Sequence, residues 1–138
     1  MVARTALLTG GTGLAGREIA RAMAEAGWRV RHLSRRDPGD GNEWIAGDIL
    51  DRSVVDRAIS GCAVVVHAAA LHGKSWQEAG DEAAFRVNVD GTLMGCKHAV
   101  RSMKSRGGNI INMSSIGGLV PVPFIAAYGA SKAAVRHL

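Results

Sequence analysis

The stretch Thr9-Gly-Gly-Thr-Gly-Leu-Ala-Gly16 lies between a short apolar run, residues 3–9, and a segment with apolar residues at helical spacing, residues 16–27. A strand that turns into a helix across such glycines leaves backbone N–H groups free at the positive end of the helix, where a pyrophosphate fits. The position at the first strand-to-helix junction favours a nucleotide site, although glycines here also serve close packing alone. The candidate nucleotide-binding residues of this turn are Gly10, Thr12, Gly13, Leu14 and Gly16.

The rest of the chain continues the alternation of strand and helix. Its patterns predict strands at residues 3–9, 28–34, 43–47, 62–67 and 109–113, and helices at 16–27, 51–60, 81–106 and from 126 onward. Residues 68–80 and 114–125 are predicted to be loops. Alternation of this kind implies right-handed parallel crossovers, and therefore an α/β fold with a doubly wound, Rossmann-like parallel sheet. We expect the strand order 3-2-1-4-5 in one domain over residues 1–138.

Composition narrows the classes of function. The net charge is +5, but the basic residues are scattered, whereas nucleic-acid binding gathers them on one face. Cys62 and Cys96 match neither a metal-site spacing nor a disulfide framework. No apolar run reaches the length of a membrane span, and the first residues lack the apolar core of a signal peptide. We therefore expect a cytoplasmic protein that binds neither nucleic acid nor membrane and holds no metal.

The ends of later strands carry further candidate cofactor contacts. Ser34-Arg35-Arg36 follows the second strand, where an acidic residue would hold a ribose 2′-hydroxyl and an arginine favours a 2′-phosphate. The cofactor prediction is therefore NADP(H), with NAD(H) less favoured; a solvated arginine pair is the alternative. Asp48 and Ile49 would contact the adenine, unless Asp48 caps the next helix. Ala68, Ala69 and Ala70 are small enough to let a dinucleotide approach the backbone, and His67 before them is interpreted as a packed, hydrogen-bonded residue.

Tyr128, the only tyrosine, precedes Lys132 by one helical turn and follows Ser115 at the end of the fifth predicted strand. A nearby ammonium favours a phenolate, so this pair suits proton transfer. During carbonyl reduction a serine hydroxyl can hydrogen-bond the carbonyl oxygen while a tyrosine delivers the proton. Asn88, in the long predicted helix, completes the candidate set. Each residue also has an ordinary structural explanation: a turn serine, a packing tyrosine, a surface lysine and an asparagine at a helix kink.

Together these segments resemble the short-chain dehydrogenase/reductase family over the whole chain. The resemblance is carried by residues 9–16, 67–70 and 110–115, by Asn88, and by Tyr128-Gly-Ala-Ser-Lys132. It implies an NAD(P)-dependent oxidoreductase that acts on a ketone or secondary alcohol. It also implies Ser115 as the carbonyl-orienting hydroxyl, and Tyr128 as the general acid/base and a cofactor contact. Lys132 would be a ribose ligand that lowers the pKa of the tyrosine, and Asn88 would support a proton-relay water.

Family members are longer than this chain, so we expect the sheet to be incomplete on its C-terminal side. The glycine turn is similar to the extended and atypical branches of the family, whereas the spacing of Ser115 and Tyr128 is similar to the small single-domain branch, and the branch stays open. The apolar residues 116–125 suggest a hydrophobic substrate or a loop covering its own core. Full-length relatives are expected to be homo-oligomers. The alternatives are a domain that binds NAD(P) without turnover and a chain that is not stably folded by itself.

Overall fold

Five strands and six α-helices make up the computed structural model, which describes residues 4–138. The strands are β1 (Thr5–Thr9), β2 (Arg29–Ser34), β3 (Glu43–Ala46), β4 (Val64–His67) and β5 (Asn109–Asn112). The helices are α1 (Leu14–Glu25), α2 (Arg52–Ile59), α3 (Lys74–Ala79), α4 (Asp81–Phe85), α5 (Gly91–Met103) and α6 (Ala126–Val135). Each predicted strand is present; the predicted start of the first one, Ala3, lies outside the described residues.

The strands form one parallel sheet in the order β3-β2-β1-β4-β5, which confirms the predicted order. Thr9 is aligned with Leu33 of β2 and with His67 of β4, and His67 with Asn112 of β5. Because the strands are parallel and end level with one another, the segments that follow them meet at one edge of the sheet. The glycine turn, the arginine pair and the alanine triplet all lie at this edge.

Side chains alternate between the two faces of the sheet, and each face has its own core. On the α1 side, Ala6, Leu8, Val30, Val64 and Val66 pack with Ala20. On the opposite side, Leu7, Leu33 and Val65 pack with buried residues of α2 and α5, among them Val55, Ile59 and Ala99. Each fully buried valine, leucine or isoleucine side chain stabilises the fold by about 1.5–3 kcal/mol. A sheet covered on both faces is the doubly wound arrangement that the sequence predicts.

Two predictions about the segment between β4 and β5 are wrong. Residues 68–80 are not all loop, because they include α3, whose Trp76 is buried and donates its indole N–H to Asp81 at 2.6 Å. Residues 81–106 are not one regular helix, because a five-residue π-helical turn, Arg86–Asp90, separates α4 from α5. Apolar spacing of three and four residues fits both helix types, so periodicity did not reveal the wider turn. Asn88 lies within it.

The C-terminal side of the sheet is less covered than the rest. Among residues 4–138, β5 pairs with β4 alone, and Ile111 in it is 47% exposed. The loop that follows contains a short 3₁₀ helix, Ile116–Gly118, and a set of exposed apolar side chains: Ile116, Leu119, Val120, Val122 and Phe124. The loop therefore does not bury its own apolar residues. None of the described helices has the length and apolar character needed to cross a bilayer.

Candidate active site and nucleotide cavity

At the glycine turn, the backbone of the turn packs against the backbone that follows β4 and against the start of α1. Gly10 has φ +76°, and a Cβ there would lie 2.5 Å from the backbone nitrogen of Ala69. A Cβ on Gly16 would overlap the carbonyl oxygen of Gly10. The helix α1 begins after Gly13 with no side-chain cap and no acidic residue in its first turn. Its first N–H groups are therefore free to bind an anion such as a phosphate.

A cavity of about 700 Å³ opens in front of this turn. It is lined by every predicted cofactor residue except Tyr128 and Lys132, namely Gly10, Thr12, Gly13, Leu14, Gly16, Ser34, Arg35, Arg36, Asp48, Ile49, Ala68, Ala69 and Ala70. The structure thus brings together residues from four separate strand ends. The cavity also includes side chains that the sequence did not single out, His72, Ser75 and Glu78, from the segment after β4.

The end of β2 is held by local hydrogen bonds. Ser34 donates its hydroxyl to the carbonyl oxygen of Arg36 at 2.7 Å, and its own carbonyl accepts from the Trp44 indole and the Gly47 amide, each at 3.1 Å. The exposed Arg35 and Arg36 follow directly. This wall of the cavity therefore carries two cationic side chains.

Asp48 does not cap the next helix. Asp51 is the N-cap of α2 and accepts from the amides of Ser53 and Val54. Asp48 instead accepts from the amide of Leu50 at 2.9 Å while lining the cavity. The capping alternative is wrong.

His67 is packed, as expected, but lacks the expected hydrogen bond on one nitrogen. Its ring lies against Gly95 of α5 so closely that any Cβ at that glycine would overlap it. Nε2 has no hydrogen-bond partner among the described residues. Burial lowers the pKa of His67 to about 4, because a charged imidazole would lose its hydration.

The Tyr128 ring lies among aromatic side chains. The rings of His72 and Trp76 meet it edge to face, with centroids 6.4 Å and 6.0 Å away. The Lys132 ammonium lies 6.0 Å from the centre of the same ring. The predicted tyrosine and lysine are therefore neighbours, and the segment after β4 contributes two more rings, Trp76 of α3 and His72 just before it.

Lys132 connects α6 to the end of β5. Its side chain is almost wholly buried, and Nζ donates to the carbonyl oxygen of Met113 at 2.9 Å. Burial lowers the pKa of this ammonium below its usual range. Ser114 adds a second connection, since its hydroxyl donates to the Lys132 carbonyl at 2.8 Å.

Ser115, unlike Ser114, has no side-chain bond to α6. Its Oγ accepts from the Gly117 amide at 3.2 Å and so begins the 3₁₀ helix. The carbonyl oxygen of Gly117 lies 2.7 Å from where a Cβ of Gly129 would be, so this loop packs directly on the residue after Tyr128. Ser115 therefore lies in the segment that packs on the first turn of α6.

Asn88 is completely buried and bonds three backbone or side-chain groups. Its Oδ1 accepts from the Leu71 amide at 2.7 Å, and its Nδ2 donates to the Leu71 carbonyl at 3.1 Å and to the Ser131 hydroxyl at 3.2 Å. Ser131 in turn donates to the carbonyl oxygen of Tyr128 at 2.7 Å. The carboxamide thus joins the cavity wall to the helix of the candidate acid/base.

Comparison with known proteins agrees with this geometry. The family described as short chain dehydrogenase matches residues 4–138. The chain belongs to this family. As a short-chain dehydrogenase chain it is 31% identical to a 3-beta-hydroxysteroid dehydrogenase of Comamonas testosteroni over 128 residues, which are 90% of this chain and 47% of the relative.

Solved structures give the same result for the fold of this short-chain dehydrogenase chain. A short chain dehydrogenase from Burkholderia cenocepacia J2315 in complex with NADP superposes with a TM-score of 0.84 at 28% identity, over 98% of this chain and 63% of that one. A superfamily protein from Agrobacterium tumefaciens with bound NAD gives 0.83 at 26% identity, over 97% and 43%. The chain therefore spans only part of the length of these relatives, and the predicted fold is confirmed as a part of the family fold.

Sequence reasoning missed the contribution of α3 to the site. Gly73 and Gly80 bracket the helix, and both have positive φ, which is typical of glycines at the ends of short elements. The sequence pattern that could have indicated this helix is a proline-free segment with a glycine at each end. Its length of six residues gave too few positions for an apolar period.

Replacing Asn88 by alanine is expected to lower the free energy of unfolding by about 1–3 kcal/mol, because buried groups of Leu71 and Ser131 lose their partner. Urea denaturation measures the change. Asn109→Ala, at an exposed position of β5, is the matched control and should change stability by less than about 0.5 kcal/mol. Equal losses in both variants would contradict the bridging role of the Asn88 carboxamide.

The lowered pKa of His67 predicts that the stability of the protein falls as the pH falls. Its pKa is near 6.5 in an unfolded chain and about 4 when folded, so the unfolded state binds the proton first as the pH falls. Above pH 6.5 His67 is neutral in both states and the free energy of unfolding is unaffected by it. Between pH 6.5 and about pH 4 that free energy falls progressively, by about 3 kcal/mol in all. Urea titrations at several pH values should show this loss relative to His67→Gln. Parallel curves for the two proteins would mean that the buried ring does not resist protonation.

Proposed function

We propose that this protein is an oxidoreductase that transfers a hydride between NADP(H) and a ketone or secondary alcohol, with Tyr128 as the general acid/base. In this proposal residues 1–138 form a single nucleotide-binding domain. The observation that supports it most strongly is the cavity in front of the glycine turn, where residues from four strand ends meet. Membership in the short-chain dehydrogenase family supports the same reaction class.

Several features of the cavity support the binding of a dinucleotide. The uncapped start of α1 offers N–H groups to a pyrophosphate, and the alanines after β4 leave room for the cofactor close to the backbone. Asp48, which lines the cavity, would accept a hydrogen bond from the adenine amino group. A bound nicotinamide supplies or accepts the hydride.

The candidate catalytic residues have compatible roles. The Ser115 hydroxyl would donate to the carbonyl oxygen of the substrate, on which negative charge develops, and the Tyr128 hydroxyl would deliver the proton to it. Lys132 uses one of its three N–H groups on Met113, which leaves two for a ribose hydroxyl. Asn88 holds the backbone around Tyr128 and is assigned a positioning role, with support of a relay water as a further part of the proposal.

Preference for NADP(H) is proposed from charge. Arg35 and Arg36 lie exposed in the cavity wall, and the lining residues that follow β2 include no carboxylate before Asp48. An arginine pairs with a 2′-phosphate through charge-assisted hydrogen bonds, whereas a ribose 2′-hydroxyl is usually held by an acid. Solved relatives include one in complex with NADP and one with bound NAD, so either cofactor is compatible with the family.

A hydrophobic substrate is proposed from the loop after β5. Its apolar residues and α6 enclose a groove of about 350 Å³, lined by Leu119, Val120, Val122 and Ile125 among others. The similarity to a steroid dehydrogenase supports an apolar ketone or alcohol. The exposed apolar side chains of this loop would give such a molecule a surface to contact.

Binding of NADP(H) without turnover is the second candidate function. It is favoured by one observation: the residues that line the large cavity include neither Tyr128 nor Lys132. In this alternative the contacts that Tyr128 and Lys132 make serve packing, and only the nucleotide part of the site is used.

Replacing both Arg35 and Arg36 by alanine is expected to weaken NADPH binding about tenfold to a hundredfold, because charge-assisted hydrogen bonds to the 2′-phosphate are lost. NADH binding should change less than about twofold, as it has no such phosphate. Fluorescence titration with each cofactor measures both. Arg57→Ala, an exposed arginine of α2 outside the cavity, is the control. An equal loss for both cofactors would remove the argument for NADP(H).

Tyr128→Phe should reduce the steady-state rate of NADPH oxidation with apolar ketones by at least about a hundredfold, because the proton donor is removed. NADPH affinity should remain within about twofold, since the phenyl ring keeps the edge contacts with His72 and Trp76. Turnover by Tyr128→Phe at the rate of the unaltered protein would contradict the acid/base role. Tight NADPH binding without turnover by the unaltered protein would select the second candidate function.

A further inference from the structure

One buried histidine outside the proposed reaction connects two walls of the cavity. His32 of β2 is fully buried on the face of the sheet that α1 covers. Its ring lies directly beneath the glycine turn: a Cβ on Gly11 would overlap Nδ1 and Cε1. The ring leaves no room for a side chain at position 11. The position of the turn therefore depends on where the ring lies.

The other side of the same ring reaches the loop between β2 and β3. Its Nε2 lies 2.9 Å from Oδ2 of Asp40, whose Oδ1 accepts from the Asn42 amide at 3.1 Å. Burial by itself would raise the pKa of Asp40, but the hydrogen bonds from Asn42 and the nearby His32 outweigh it and hold the pKa below its usual value. The ionised carboxylate only accepts, so Nε2 carries the proton.

The remaining nitrogen, Nδ1, has no partner among the described residues and faces the glycine turn. An apolar side chain in this place would not leave a polar atom unsatisfied. We therefore assign the role of this imidazole to Nε2, which bonds Asp40.

Asp40 lies in the loop between β2 and β3, which begins with the arginine pair. At its start, the Ser34 hydroxyl fixes the carbonyl of Arg36. Further along, Asp40 is fixed by His32. Between these two anchors Asp37 makes only a local bond, accepting from the Gly39 amide at 2.9 Å. The backbone that carries both arginines is consequently held at two points, one of which also contacts the glycine turn.

We propose that His32 is a positioning residue for cofactor selectivity: through Asp40 it holds the loop of Arg35 and Arg36 at a fixed distance from the glycine turn, so that one dinucleotide contacts both. The inference rests on the proposed function for its consequence, selectivity for the 2′-phosphate. The coupling of the turn to the loop is a property of the protein without cofactor, and it has its own test.

The first test uses the cofactor-free protein and amide NMR. Asp40→Ala removes the partner of His32 by a substitution at an exposed loop position. We expect it to shift the Gly11 amide resonance and to increase the hydrogen exchange of Gly39 and Gly41. Asp37→Ala, in the same loop, should change Gly39 and Gly41 but leave Gly11 unchanged. A Gly11 resonance that is unaffected by Asp40→Ala would overturn the coupling.

The second test measures the ratio of NADH to NADPH dissociation constants by fluorescence titration. Asp40→Ala and His32→Leu should lower this ratio about tenfold, mainly by weakening NADPH binding, while Asp37→Ala leaves it within about twofold. His32→Gln, whose Nε2 can still donate to Asp40, should restore most of the ratio. Loss of overall affinity for both cofactors in equal measure would indicate a merely structural role and overturn the selectivity part.

The outcomes also separate this inference from the proposed function. If the unaltered protein binds neither cofactor, the proposed function fails, and the Gly11 resonance decides the coupling by itself. If it binds NADPH selectively but Asp40→Ala leaves the ratio unchanged, the inference fails while the proposed function stands. Asp40→Ala provides the measurement even if His32→Leu does not fold.

Discussion

The candidate site depends on one buried carboxamide. Asn88 bonds both the amide and the carbonyl of Leu71 and also the Ser131 hydroxyl, so a single side chain holds the cavity wall, the π-helical turn and α6 together. A buried polar network of this kind is stabilising only when every member is satisfied. Asn88 lies within the π-helical turn, a wider turn of the kind that is often found at functional sites.

The site has two parts with different physical character. The nucleotide cavity is formed by backbone, small residues and exposed arginines at strand ends, where phosphates find free N–H groups and positive charge. The part around Tyr128 is aromatic, with the buried Lys132 held on a backbone carbonyl. The segment after β4 connects them, since Leu71 and His72 line the cavity while His72 also contacts the Tyr128 ring.

The strand order, the glycine turn and the cavity residues were predictable from sequence because each rests on local patterns and on the rule that ligands meet the carboxyl ends of parallel strands. The helix α3 was not, since six residues carry no clear period. The partner of His32 was not predictable either, because Asp40 lies in a loop whose sequence indicates only turns. The Asp48 alternative was decided by Asp51, three positions along, which caps α2 in its place. Contacts set by tertiary packing are the part that sequence patterns do not contain.

The glycines of the turn are required by steric exclusion before any ligand is considered. Gly10 meets the backbone after β4, Gly11 meets an imidazole, and Gly16 meets Gly10. A genetic selection for folded protein alone would therefore retain all three, and their persistence across a mutant library would say nothing about phosphate. Gly13 is different, because a Cβ there would be 3.4 Å from its nearest neighbour, an ordinary contact. Of the four glycines, Gly13 is the one that selection for folding alone would allow to change. Selection for ligand binding would keep it only if the ligand needs the space.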